Sequence, residues 1–169
     1  QKSLFWGNQL GRKTKFRVGL AWSGSETHKN DRARSIALER LNPLCGLDAV
    51  FYSLQKDIRP AYEDVLKLNS KIQDYTSKFQ NFSDTAAFIE NLDLVITVDT
   101  SVAHLAAAMG KSVWILLSYV HCWRWIYGSR DSVWYPTVKL YQQAERWNWD
   151  RPLKEIKRDL VLHIKEKNE

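Results

Sequence analysis

The hydrophobic pattern of this chain is a series of short apolar runs separated by polar or amphipathic stretches. Continuous apolar runs of this length are typical of strands that are buried on both faces of a parallel sheet. The pattern predicts strands at residues 16–22, 49–54, 72–75, 93–98, 113–117 and 138–141.

Between these runs, apolar positions recur at helical spacing. The predicted helices span residues 37–44, 60–68, 83–92, 100–109 and 150–164. Ser83 and Asp150 are predicted to cap the helices that they begin, and Gly110 is predicted to end the fourth helix by adopting the left-handed conformation. The polar segment 25–35 is predicted to be a loop.

Strands that alternate with helices predict an α/β fold, a Rossmann-like parallel sheet with helices on both faces and right-handed crossovers. With 169 residues, of which 44% are hydrophobic, the chain is long enough to bury one sizeable core. We expect one domain over residues 16–169. Residues 1–15 are interpreted as a linker or the tail of a preceding domain.

The formal net charge of +6 favours an anionic partner. It does not choose among a phosphorylated ligand, nucleic acid and an acidic membrane surface. Cys45 and Cys122 are too few for a disulfide framework or a zinc site, so a reducing, cytoplasmic location is expected. The sequence contains no recognisable leader and no apolar run long enough to span a bilayer. Because the only methionine is Met109, the chain is expected to be a piece of a longer protein.

Several candidate binding residues fall where the predicted strands end. Ser23, Gly24, Gln55 and Phe82 share this edge with the corner 99–101, and ligands of parallel sheets bind outside the carboxyl ends of the strands. The corner Asp99-Thr100-Ser101 offers hydroxyls and free backbone N–H groups at a helix start, where the helix dipole favours a phosphate. The alternative is that these three residues only cap the helix.

Basic residues are expected to complete the anion site. The loop after the first strand contains Lys29, Arg32 and Arg34, and arginine can hold phosphate oxygens with two hydrogen bonds at once. His104 lies one turn after Thr100 on the same helical face, where it can donate to a phosphate or sugar oxygen. The alternatives are a solvated charged loop and a packed structural histidine.

Two further side chains on this edge suit the nucleoside part of a ligand. Gln55 can hydrogen-bond a base or a ribose, and Phe82 can cover a base with its ring, although core packing explains Phe82 about as well. The aromatic cluster between Trp123 and Tyr135 is typical of a core or of a docking face, and it receives no role at this stage.

Four segments resemble one family of enzymes. They are Val-Gly-Leu-Ala-Trp-Ser-Gly at 18–24, Ser-Leu-Gln at 53–55, Phe-Ser-Asp-Thr-Ala at 82–86 and Asp-Thr-Ser-Val-Ala-His-Leu-Ala-Ala-Ala-Met-Gly at 99–110. Together they resemble the C-terminal half of heptosyltransferase-type GT-B glycosyltransferases, in the version found at the end of bacterial tetratricopeptide-repeat proteins. The likeness extends from Phe16 to the final helix.

The resemblance implies a site for a nucleotide-diphosphate sugar. It assigns the diphosphate and the transferred sugar to Asp99, Thr100 and Ser101, with His104 at the family histidine position. It assigns phosphate contact to Arg34 first and to Arg32 or Lys29 second, and recognition of ribose and base to Gln55 and Phe82. Ser101 replaces a glycine that is common in heptosyltransferases, so the base and the sugar stay open.

The resemblance also implies that the catalytic general base belongs to an N-terminal half that is absent from this chain. The chain is then a donor-binding lobe that binds without turnover, and no metal or cofactor is expected because no paired carboxylates lie on the predicted edge. The main alternative is a non-catalytic nucleotide or sugar-phosphate sensing module. Nucleic-acid binding ranks last because the basic residues are scattered, and a dinucleotide-dependent oxidoreductase is disfavoured because no G-x-G-x-x-G follows the first strand.

Overall fold

A computed structural model describes residues 1–168 of the chain. Its centre is one six-stranded sheet in the order β3-β2-β1-β4-β5-β6, in which every neighbouring pair of strands is parallel. The strands are β1 Phe16–Ala21, β2 Ala49–Ser53, β3 Ile72–Gln73, β4 Leu94–Val98, β5 Ser112–Leu117 and β6 Val138–Gln142. The predicted α/β fold class and all six predicted strands are confirmed.

Within residues 1–168, six α-helices and two short 3-10 turns lie before, between and after the strands. The helices are α1 Lys2–Leu10, α2 Asp31–Arg34, α3 Pro60–Leu68, α4 Phe82–Ile89, α5 Ser101–Ala108 and α6 Asp150–Asn168, and the turns span Leu38–Leu41 and Thr76–Lys78. None of the helices within residues 1–168 is long and apolar enough to cross a membrane.

Helices cover both faces of the sheet. Successive side chains of a strand point to opposite faces, so each strand contributes to the core on both sides. In β5, Trp114 and Leu116 join the cluster that contains α6, whereas Val113 and Ile115 join the cluster that contains α1, α4 and α5. On α6, Ile156, Leu160 and Ile164 form an apolar stripe that is buried against the sheet. The small residues Ala103, Ala106 and Ala107 are buried where α5 lies against the sheet.

The strand order creates a crevice at the centre of the sheet. The chain proceeds outward from β1 through β2 to β3 and then returns to the other side of β1 with β4, so the direction of winding reverses between β1 and β4. Ligands of open parallel sheets bind at such a reversal, outside the carboxyl ends of the strands. The fold therefore directs attention to the loops after Ala21 and Val98.

Several local predictions were wrong. The helix predicted over 37–44 is only a 3-10 turn, because Pro43 has no N–H group to continue the hydrogen bonding. The predicted loop 25–35 contains the short helix α2. Ser83 is not the cap of α4, since Asn81 has that position and the helix begins at Phe82. Asp150 is the first residue of α6 rather than its cap. Gly110, in contrast, has a φ of 74°, as predicted.

Residues 1–15 are not an unpacked linker, contrary to one of the two interpretations above. Within α1, Trp6 is only 2% exposed and joins the core cluster below α4. Its indole makes edge contacts with Phe79 and Phe88, at centroid distances of 5.3 and 5.1 Å. The helix α1 is therefore packed as part of the same folded unit.

Replacement of Trp6 by alanine is predicted to destabilise the chain by about 3–5 kcal/mol, because it leaves a large cavity in the core. The measurement is the free energy of unfolding in urea. Leu4→Ala is the control on the same helix, since Leu4 is 75% exposed, and it is expected to change stability by less than about 0.5 kcal/mol. Equal effects of the two substitutions would show that α1 is not docked.

Candidate functional site

A cavity of about 590 Å³ opens at the carboxyl ends of β1 and β2, beside the starts of α4 and α5. It lies on the β1 side of the reversal in strand order, where the fold favours a ligand. Seven of the eleven predicted site residues line it, namely Ser23, Gly24, Arg34, Gln55, Phe82, Thr100 and Ser101.

The loop after β1 and the corner after β4 meet at this cavity, as predicted. Arg34 Nη1 donates to the backbone carbonyl of Asp99 at 2.8 Å. The Asp99 side chain does not line the cavity. Its Oδ1 lies 3.9 Å from Nε2 of His104. The backbone of Asp99 thus contacts Arg34, whereas its carboxylate lies on the other side of the corner, near His104.

The guanidinium of Arg34 lies where any residue other than glycine at position 24 would place its Cβ atom. A Cβ atom on Gly24 would overlap this guanidinium, so residue 24 must lack a side chain for Arg34 to cross it. The Arg34 side chain is 15% exposed, and its Nε lies 3.7 Å from Asp31 Oδ1. The cation is therefore held close to the cavity with part of its hydrogen-bonding capacity unused.

Asp31 and Arg59 form an ion pair that sequence analysis missed. Asp31 is 6% exposed, accepts a hydrogen bond from Ser35 Oγ at 3.0 Å, and bonds Arg59 Nη2. Arg59 immediately precedes α3 and also contacts Glu26 at 3.3 Å. The only signal in the sequence was that Glu26 and Asp31 lie among the cations of this loop. These contacts hold the loop that carries Arg34 against the start of α3.

The two helices that start at the cavity differ in how their first N–H groups are used. In α4, Asn81 Oδ1 accepts from the N–H groups of Ser83 and Asp84 at 3.0 and 3.3 Å, and Asp84 Oδ2 accepts from the N–H of Asn81. A hydrogen bond from Lys2 holds the pKa of the Asp84 carboxyl below its ordinary value. The N-terminus of α4 is thus satisfied by its own chain.

The start of α5 has no such cap. Thr100 stands at the N-cap position, but its side chain makes no capping hydrogen bond, and its Oγ1 lies 3.2 Å from Oγ1 of Thr97. The N–H groups of Ser101 and Val102 have no acceptor within the helix, because the first turn of a helix lacks one. Both residues line the cavity. The uncapped N-terminus therefore presents donors and a partial positive charge to it.

Gln55 lies in the cavity wall, but most of its hydrogen-bonding capacity is already used. Its Oε1 accepts from the backbone N–H groups of Trp22 and Ser23 at 3.2 and 3.0 Å, and its Nε2 donates to the carbonyl of Asp57 at 3.1 Å. The predicted hydrogen bond to a base or ribose is therefore limited to donation from Nε2. Gln55 shapes the turn after β1, and one amide hydrogen remains for a ligand.

The sequence predicted some of the other residues in the cavity wall and missed others. Phe82 lines the cavity and is 60% exposed, but it is the first residue of α4 and not a strand end. Lys56 and Thr85 were missed, although Lys56 directly follows Gln55 in the sequence. The hydroxyl of Ser23 is buried and has no hydrogen-bond partner among the residues that the structure describes.

Besides Asp99, three predicted residues lie outside the cavity. Lys29 and Arg32 are exposed, and the guanidinium of Arg32 lies over the ring of Trp147 at 5.8 Å from its centroid. Neither residue lines the cavity, which contradicts their placement as secondary phosphate contacts. His104 faces the far side of α5 and stacks on Trp125 at 5.2 Å.

Within residues 1–168, no three His, Cys, Asp or Glu side chains come together in a group that could hold a metal ion.

Replacement of Gln55 by alanine is predicted to destabilise the chain by about 1–3 kcal/mol, because two buried backbone N–H groups lose their acceptor. The measurement is again the free energy of unfolding. Gln73→Ala, at an exposed position of the edge strand β3, is the matched control and is expected to be nearly neutral. A neutral Gln55→Ala would mean that these N–H groups find another partner.

Comparison with known proteins gives both a local sequence match and a match of the whole fold. The model of glycosyltransferase family 9 (heptosyltransferase) matches residues 78–117, which contain α4, β4, α5 and β5. No curated protein sequence matches the chain.

Two solved structures share the fold. A glycosyl transferase family 9 protein from Veillonella parvula is 15% identical, with a TM-score of 0.57, and the match covers 98% of this chain and 49% of that one. The ADP-heptose LPS heptosyltransferase II of E. coli is 15% identical, with a TM-score of 0.63 and coverage of 99% and 52%. The chain thus spans about half the length of these structures. It has the fold of half of a family 9 glycosyltransferase structure and matches the sequence model of that family over residues 78–117.

Proposed function

We propose that this chain is the donor-binding lobe of a GT-B glycosyltransferase and that it binds a nucleotide-diphosphate sugar. One observation carries the proposal. The uncapped N-terminus of α5 and the guanidinium of Arg34 meet in one cavity, at the reversal of strand order. The diphosphate is assigned to this junction.

The charges around the junction suit a diphosphate. Arg34 supplies a fixed cation, Lys56 supplies a second, exposed one, and the dipole of α5 adds a partial positive charge. The buried hydroxyl of Ser23 lacks a partner among the described side chains and can donate to a phosphate oxygen. Charge-assisted hydrogen bonds of this kind contribute about 1.5–3 kcal/mol each.

The nucleoside is assigned to the α4 side of the cavity. Phe82 offers an exposed ring on which a base can stack, and Leu54 lines the cavity as an apolar wall. The remaining amide hydrogen of Gln55 is available to a ribose or base oxygen.

In the proposed reaction, the bond between the sugar C1 and the diphosphate oxygen breaks, and C1 forms a bond to an acceptor oxygen. The diphosphate leaves with the electron pair, and the acceptor proton passes to a general base that we expect in an N-terminal half. This chain's part is to stabilise the negative charge on the leaving diphosphate with Arg34 and the N–H groups of α5. We propose that this stabilisation needs no metal, since cationic and N–H donors already face the diphosphate position.

The proposal implies partners for the chain. An N-terminal half, and tetratricopeptide repeats in a longer cytoplasmic protein, are expected from the resemblance of residues 18–24 and 99–110. The isolated chain is then expected to bind donor without turnover. Nucleic acid is not an expected partner, and nothing on the cavity side specifically indicates a membrane surface.

A sensing module that binds a nucleotide or sugar phosphate without catalysis is the second candidate. The observation that favours it is the exposed aromatic surface beyond α5, which includes Trp123 at 75% exposure and suits a protein interface that responds to ligand. Glycosyl transfer by the longer protein would decide for the enzyme.

Calorimetric titration with ADP, UDP, GDP and their sugar conjugates tests the proposal. At least one nucleoside diphosphate is predicted to bind, and Arg34→Ala is predicted to weaken its affinity by about 10- to 100-fold, which corresponds to one or two charge-assisted hydrogen bonds. Arg34→Lys keeps the positive charge but loses the planar guanidinium that can donate two hydrogen bonds to a phosphate. Its loss of affinity is expected to be intermediate.

Arg32→Ala is the matched control, because Arg32 lies on the same short helix but outside the cavity. It is expected to bind like the parent chain. The absence of binding across the whole panel, or equal losses for Arg32→Ala and Arg34→Ala, would contradict the assignment of the diphosphate to this junction.

A further inference from the structure

A second cleft lies on the opposite side of α5 from the cavity described above. It has a volume of about 400 Å³ and is lined by His104, Trp123, Arg124, Trp134 and Tyr135. We call these five residues the aromatic cleft. Four of them belong to the long connection between β5 and β6, and His104 belongs to α5.

The walls of the aromatic cleft are formed before any ligand arrives. Trp123 and Trp134 are 75% and 57% exposed and stand nearly perpendicular, with ring planes at 83° and centroids 6.3 Å apart. The indole N–H of Trp134 donates to the carbonyl of Arg124 at 3.1 Å, and its backbone N–H donates to Ser132 Oγ at 3.2 Å. Hydrogen bonds thus hold the exposed ring of Trp134, and an edge contact places the exposed ring of Trp123 against it; a patch of exposed large rings is typical of a recognition surface.

Polar groups lie beside these rings. Tyr135 OH and His104 Nδ1 are 3.3 Å apart, so each holds the other in place at the base of the cleft. The guanidinium of Arg124 lies over Trp123 at 5.4 Å from the ring centroid, and its Nη1 contacts the sulfur of Cys122. Its remaining N–H groups are available as donors.

This combination suits a sugar ring. A pyranose has a face of C–H groups that packs on an indole and a rim of hydroxyls that bond donors and acceptors such as Arg124, His104 and Tyr135. The volume also favours a small ligand, because pockets for small molecules measure about 300–1,000 Å³. A stable protein interface needs a contact of roughly 800 Å² on each partner.

The aromatic cleft is connected to the diphosphate junction through one residue. His104 lines the cleft, and its Nε2 lies 3.9 Å from Asp99 Oδ1, directly behind the start of α5. A ring bound in the cleft is therefore separated from the junction by the first turn of α5.

We propose that the aromatic cleft is a carbohydrate subsite that binds a pyranose ring on Trp123 and Trp134. The proposal rests on the cleft alone and goes beyond the proposed function.

The test is a titration of the chain, labelled with ¹⁵N, with the methyl glycosides of glucose, galactose, mannose, N-acetylglucosamine and rhamnose. At least one glycoside is expected to shift the indole N–H signals of Trp123 and Trp134 in a saturable manner. Trp123→Ala and Trp134→Ala are expected to weaken its binding at least 10-fold. Trp147→Ala is the matched control, since Trp147 is 59% exposed but lies outside the cleft, and it is expected to bind like the parent chain.

A parallel titration with nucleoside diphosphates separates this proposal from the proposed function. Trp123→Ala is expected to bind them like the parent chain. If nucleotides bind and no glycoside shifts the two indole signals, the carbohydrate subsite is wrong and the donor lobe stands. If a glycoside binds and no nucleotide does, the donor lobe fails and the carbohydrate subsite stands.

Two other outcomes would also overturn the subsite. One is an equal loss of glycoside binding in Trp147→Ala. The other is self-association of the parent chain in sedimentation, abolished by Trp134→Ala, together with no response to any glycoside. In that case the aromatic cleft is a protein contact.

Discussion

The hydrogen bond between Arg34 and the backbone carbonyl of Asp99 joins two loops on which the whole site depends. The sheet brings β1 and β4 side by side, but it does not by itself fix the long loop that follows β1. That loop returns to the sheet where the N–H of Ile36 donates to the carbonyl of Trp22 at 2.8 Å. The arginine then binds the return segment to the corner after β4, and the wall of the cavity is complete.

The general plan of the molecule was predictable because it follows from local composition. Strands buried on both faces must be apolar at every position, so runs such as 16–22 and 113–117 are visible without any knowledge of their neighbours. The alternation of strands with helices then implies which strand ends share an edge. For this reason the meeting of residues 23–34 with the corner 99–101 was predicted correctly. The order of Arg34 before Arg32 and Lys29 came from the family resemblance and not from the pattern.

The details that were missed depend on partners that are distant in the sequence. Gln55 bonds the backbone of residues 22 and 23, and Asp31 is held by Arg59, and neither pairing leaves a mark on the local pattern. The helix predicted over 37–44 is a separate case, because it was ended by a proline within the predicted range. His104 points away from the cavity because the aromatic connection between β5 and β6 packs against it, and the sequence pattern assigned no position to that connection.

The difference between the two helix starts gives the cavity a direction. Both α4 and α5 have eight residues and begin at the same edge of the sheet, yet α4 closes its N-terminus with Asn81 and Asp84, whereas α5 leaves its N-terminus open. The free N–H groups of α5 therefore attract an anion more strongly beside Ser101 than the capped N-terminus of α4 does beside Phe82. The helix ends favour one orientation of an elongated ligand with charge at one end, in which the charged end lies toward α5.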